Sequence, residues 1–134
     1  MKKLILFVLL ILALALAACG GGGGASTTIN VTMTDFHFEP STFTVPAGQQ
    51  ITVNATNNGA VMHTFVIMKY GTDVGTEFGP EDQGNVYFQL QVQPGEKNTQ
   101  TFTAPTNPGD YQVVCDVPGH FVAGMVAKLT VVAK

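Results

Sequence analysis

Residues 29–134 predict an antiparallel β-sandwich or barrel, on three observations. Short runs alternate apolar and polar residues. Gly, Pro and Asn punctuate those runs. No helical period recurs after the first eighteen residues.

The elements follow in order. Residues 29–33 alternate through Ile29, Val31 and Met33 and form the first strand. Glu39-Pro40-Ser41 turns the chain into a strand over 42–45. Pro46-Ala47-Gly48 turns it again into 50–55, where Ile51, Val53 and Ala55 share one face. Asn57-Asn58-Gly59 breaks the chain before a more continuously apolar strand over 63–69. Residues 86–93 alternate through Phe88, Leu90 and Val92; Pro94-Gly95 ends that strand and 98–103 forms the next. After the breakers of 105–109 come strands over 110–115 and 125–132. The sum is about eight strands. Residues 71–85, with Asp73, Glu77, Glu81 and Asp82, read as a surface loop with room for one helical turn.

The N-terminus sets the compartment. Lys2 and Lys3 precede an unbroken apolar run over 4–18. As a helix those residues would reach about 22 Å at 1.5 Å each, short of the roughly 30 Å hydrocarbon core. Residues 1–18 are therefore expected to be a secretory signal rather than a permanent span. Leu16-Ala17-Ala18-Cys19-Gly20 resembles a bacterial lipoprotein signal, in which the cysteine takes lipid and becomes the new N-terminus. An ordinary secretory signal or an uncleaved anchor are the other readings. Residues 19–28, with glycine at 20–24, are the expected tether, its nine residues beyond Cys19 having an r.m.s. reach of about 15–18 Å. Residues 29–134 are one domain. The expected location is extracytoplasmic, on a bacterial membrane: periplasmic, or on the outer face of the plasma membrane.

Without Lys2 and Lys3, four lysines stand against nine acidic residues, a formal −5, and arginine is absent. This argues against nucleic acid, which needs phosphate neutralisation. With Cys19 lipidated, Cys115 has no disulfide partner. A lone thiol outside the cytoplasm is a liability unless buried or metal-bound.

Cys115, His120 and Met125 stand five residues apart, twice, and all are soft or borderline ligands. Cys115 ends one strand, Pro118-Gly119 permits a tight turn, and Met125 opens the last strand. A second histidine comes from His37 or His63. His63 follows a turn at a strand start, whereas His37, between Phe36 and Phe38, faces out if the phenylalanines face in. A His₂Cys set with a weak axial methionine is the arrangement of blue-copper electron-transfer sites.

The chain resembles the cupredoxins, specifically small plastocyanin- and auracyanin-like domains, through Val45-Pro46-Ala47-Gly48, Asn57-Asn58 before His63, Tyr111-Gln112-Val113-Val114-Cys115, and Pro118-Gly119-His120 with Gly124-Met125. The resemblance implies a Greek-key β-sandwich holding one type 1 copper ion, with His63, Cys115, His120 and Met125 as ligands. Two departures stand out. Thr64 follows the first histidine where many cupredoxins have an asparagine that ties down the cysteine loop. Asp116 follows the cysteine where a small hydroxyl residue is common, and its carboxylate is expected to point outward.

The expected function is membrane-tethered electron transfer, cycling Cu(I) and Cu(II) without transforming a substrate. The expected state is a monomer, with a redox protein as donor and another as acceptor, a cytochrome or membrane complex among the candidates. His120 is expected as the exposed ligand edge, with Pro118, Phe121 and Val122 as its apolar docking collar. Copper delivery or storage, or service as an accessory copper domain of a terminal oxidase system, are the alternatives. The binuclear oxidase domain needs two cysteines in the ligand loop, and this loop has one.

Overall fold

The computed structural model describes residues 24–134. The signal, Cys19 and most of the tether lie outside the described residues. The tether and the sandwich meet at the tether's last residues. Thr28 already belongs to the first strand, and the Ser26 N–H donates to the Thr44 carbonyl at 2.9 Å.

Two sheets pack face to face. One holds β2 (His37–Glu39), β1 (Thr28–Thr34), β4 (Gln50–Asn57) and β7 (Lys97–Thr103), in that order. The other holds β3 (Thr42–Pro46), β9 (Val126–Val132), β8 (Gly109–Val114), β5 (His63–Met68) and β6 (Val86–Val92). The expected sandwich is present, with two refinements. The described residues form nine strands, because three-residue β2 is too short to show a period. Two pairs, β1 with β4 and β3 with β9, are parallel. In both, the chain crosses to the other sheet and returns, which strand alternation cannot reveal.

The period-two pattern predicts the inner faces. In β4, Ile51, Val53 and Ala55 are buried and the residues between them only partly so. In β1, Ile29, Val31 and Met33 point inward. Phe65 lies at the centre, edge-on to Phe38 and Phe43 with ring centroids 5.7 and 5.5 Å away. β7, at a sheet edge, is polar and largely exposed, as edges that avoid pairing with other chains are.

β5 departs from alternation: all six of its residues are buried. Phe65 and Ile67 face the main core, while Val66 and Met68 join Val74 and Val114 in a second cluster, against Phe78, Val86 and Phe121. Residues 71–85 are therefore more than a surface loop. They cover the outer face of β5, pinned by Val74, whose N–H donates to Gln112 Oε1 at 2.7 Å. The helical turn is one 3₁₀ turn, Gln83–Asn85. A strand covered on both faces reads as a continuous apolar run, and this one carries His63 at its first position.

Candidate metal centre

Neighbouring strands bring the donors together. β5 and β8 pair antiparallel, Val66 opposite Val114, so the start of β5 faces the chain just beyond β8. His63 is the first residue of β5 and Cys115 follows β8 directly. The loop from Cys115 to Met125 is closed by its own backbone. The Cys115 N–H donates to the Met125 carbonyl at 3.2 Å, and the Met125 N–H to the His120 carbonyl at 3.0 Å. His120 is turned inward by a bond from its N–H to the Val117 carbonyl, 3.0 Å. Gly119, at φ 84°, supplies the left-handed backbone this turn requires.

The result is a triangle of donor atoms. His63 Nδ1 lies 3.1 Å from His120 Nδ1, and Cys115 Sγ lies 3.4 Å from His120 Nδ1 and 4.0 Å from His63 Nδ1. All three residues are buried, and so is Met125. The circumcentre of the 3.1, 3.4 and 4.0 Å triangle is about 2.1 Å from each atom. Zinc-sized ions bind nitrogen and sulfur at about 2.0–2.3 Å, so the spacing of these atoms suits a single such ion. Two imidazoles with one thiolate, and a thioether near the same loop closure, form the donor set that selects copper. Burial first, and then neighbouring His63, lower the His120 pKa from its ordinary 6.5, which favours the neutral ring a metal needs.

His37 is exposed on β2, paired with Thr34, and takes no part in the cluster. The loop tie expected beside the cysteine exists in another form. Thr64 Oγ1 donates to Asp116 Oδ1 at 2.7 Å and accepts from the Asp116 N–H at 2.9 Å. Gln89 Nε2 donates to Asp116 Oδ2 at 2.9 Å. The carboxylate is thus engaged by Thr64 and Gln89 and does not join the donor cluster. The Thr64 hydroxyl has one proton, and the carboxylate at 2.7 Å outcompetes Cys115 Sγ at 3.5 Å for it. Sulfur keeps the Thr64 backbone N–H, at 3.4 Å.

The expected collar is altered. Pro118 and Val122 are exposed, Val122 by 65%. Phe121 instead turns toward the second core cluster. His120 itself is only 7% exposed, a correction to the open edge expected. Phe36 covers it edge-on, ring centroids 4.8 Å apart, and stays 37% exposed.

Asp35, which sequence reasoning missed, holds the approach to His63 together with Asn57 and Gly59 of the turn that the sequence marked before it. Asp35 accepts from the Ala60 N–H through both oxygens, at 3.1 and 3.0 Å, and contacts His63 Nε2 through Oδ1 at 3.0 Å. The Ala60 N–H chiefly, and then His63, hold its carboxyl below the usual carboxylate value. Gly59 leaves room for this contact: a Cβ there would collide with Asp35 Oδ1 and stand 2.8 Å from His63 Nε2. Asn57, fully buried, orders the same loop. Its Nδ2 donates to the carbonyls of Val61 and Val92 and its Oδ1 accepts from Gly59. Asn57→Ala is expected to destabilise the protein by about 2–3 kcal/mol, the scale of leaving buried polar groups unpaired. Urea unfolding of the metal-free protein measures it, and a change below about 0.5 kcal/mol would remove Asn57 from this role.

The family described as "Cupredoxin-like domain" matches residues 4–131. Auracyanin-A of Chloroflexus aurantiacus is 33% identical over 109 residues, covering 70% of this chain and 66% of its own length. The copper-resistant cuproprotein CopI of Rubrivivax gelatinosus is 30% identical over 108 residues, covering 75% of this chain and 64% of its own length. The chain thus spans slightly less than two thirds of each of these relatives. Dithionite-reduced auracyanin of Roseiflexus castenholzii superposes with a TM-score of 0.69 at 35% identity, over 81% of this chain and 99% of that one. Reduced rusticyanin, at 23% identity and a TM-score of 0.55, shares the fold.

Proposed function

The chain belongs to the cupredoxin family, and from that premise we propose that it carries single electrons on one type 1 copper ion while tethered outside a bacterial membrane. One observation supports this reading above the others: the buried triangle of Cys115 Sγ, His63 Nδ1 and His120 Nδ1, sized for one ion. Copper, when bound, supplies a one-electron couple.

The chain's own residues do the rest. Cys115 would offer the thiolate and a covalent way in for the electron. His63 and His120 would offer nitrogens that serve both oxidation states. Met125 would offer a weak thioether, favouring the reduced ion. β5, packed on both faces, and the self-closed loop hold these groups in place, so the site would rearrange little on a change of charge. Phe36 and the burial of His120 keep water from the ligands.

Cys19 would carry the lipid, with 20–24 letting the domain swing beside the membrane. Pro118, Val122 and Phe36 would form the apolar face against which a redox protein docks, with Asp73, Glu77 and Glu81 steering a basic one. Likeness to CopI favours copper handling as a second reading.

Adding Cu(II) to the metal-free protein separates the two. Electron transfer expects an intense blue or green thiolate-to-copper band and a reversible midpoint. Pale d–d absorption would favour copper handling, and a colourless product would defeat both.

A further inference from the structure

We propose that Asp35 is a positioning residue for the metal site: its carboxylate fixes which nitrogen of His63 is bare, aims that nitrogen at the ion, and biases the site toward the more highly charged, oxidised ion. The inference rests on the copper reading above.

A neutral imidazole carries one N–H, and the partner of that N–H decides which nitrogen remains a ligand. Asp35 Oδ1 stands 3.0 Å from His63 Nε2, and an ionised carboxylate only accepts. The proton therefore sits on Nε2, and Nδ1 keeps the lone pair that faces Cys115 and His120. A carboxylate behind a metal-bound histidine also makes that ring a stronger donor, which stabilises Cu(II) more than Cu(I).

The contact is built rather than incidental. Asp35 lies in the turn between β1 and β2, 28 residues from His63. The Ala60 N–H fixes both its oxygens. Gly59 supplies the clearance, and Asn57 holds Gly59 by its N–H at 2.8 Å. The next residue, Phe36, packs on His120. One turn of β1–β2 thus touches both ligand rings.

An ordinary loop tie would explain the Ala60 contact alone, and it predicts an effect on stability only. Two substitutions separate the roles. Asp35→Asn keeps an acceptor oxygen but removes the charge; Asp35→Ala removes both. Nitrogen NMR of the metal-free protein should show His63 protonated at Nε2 in the parent and in Asp35→Asn, and mixed tautomers in Asp35→Ala. In the copper-loaded protein, Asp35→Asn should keep the intense band and lose about tenfold in preference for Cu(II) over Cu(I). For a one-electron couple that is a rise of about 59 mV. Asp35→Ala should lose roughly 10–100-fold in copper affinity.

Parent-like tautomers in Asp35→Ala, or a parent-like midpoint in folded Asp35→Asn, would overturn the proposal. If Asp35→Ala does not fold, the midpoint of Asp35→Asn decides. If the parent takes up no copper, the copper reading fails, while the tautomer comparison still decides what Asp35 does to His63.

Discussion

Cys115→Ser is expected to erase the intense visible band of the copper-loaded protein altogether. The band requires a sulfur bonded to copper, and Cys115 is the only cysteine among the described residues. A serine hydroxyl does not replace it, because it stays protonated at neutral pH and oxygen is a harder donor than sulfur. His63 and His120 would remain, so the variant should still bind Cu(II), more weakly and with pale colour. The fold should survive: the exchange swaps one small buried group for another, with Thr64 N–H at hand as a donor. Absorption and electron paramagnetic resonance of the loaded variant check this. A retained intense band would place the copper thiolate elsewhere and defeat the assignment.

Phe65→Ala is expected to remove about 3–5 kcal/mol of stability, the range for deleting a buried phenylalanine. Phe65 has no exposed surface, and its ring meets Phe38 of β2 and Phe43 of β3, one from each sheet. Neither neighbour can collapse into the space without leaving its own strand. Set against a total of about 5–15 kcal/mol for small domains, this loss brings the metal-free protein close to unfolding. Bound copper should recover part of it, because a ligand of the native state stabilises by mass action. Urea midpoints with and without copper measure both effects. A loss under about 1 kcal/mol would mean that the two sheets do not share this ring as a common centre.

Much of the site was legible because its donors lie close in the chain. Cys115, His120 and Met125 sit in one loop, and a turn before a strand marked His63 over His37. Alternation exposed the inner faces of β1, β4 and β6. What remained hidden depends on contacts between distant segments. Asp35 reaches His63 only after β1 and β4 pair in parallel, and that pairing leaves no periodic trace. Val74 sits among acidic and glycine residues, so its burial over β5 had no local signal, although the unbroken apolar run of β5 records its effect. Phe121, expected in the docking collar, and Phe36, inward-facing on the alternating reading of 36–38, both lie elsewhere. The second core cluster draws Phe121 inward, and the β1–β2 turn delivers Phe36 onto His120.

The bond from Cys115 to Met125 closes eleven residues into a ribbon whose two ends spring from adjacent strands. Such a ribbon is a cassette. Its interior can change length or sequence, moving His120 and retuning the electron affinity of the centre, while the strands beneath keep their register. Evolution, or an engineer, can therefore adjust the voltage of this molecule without renegotiating its architecture.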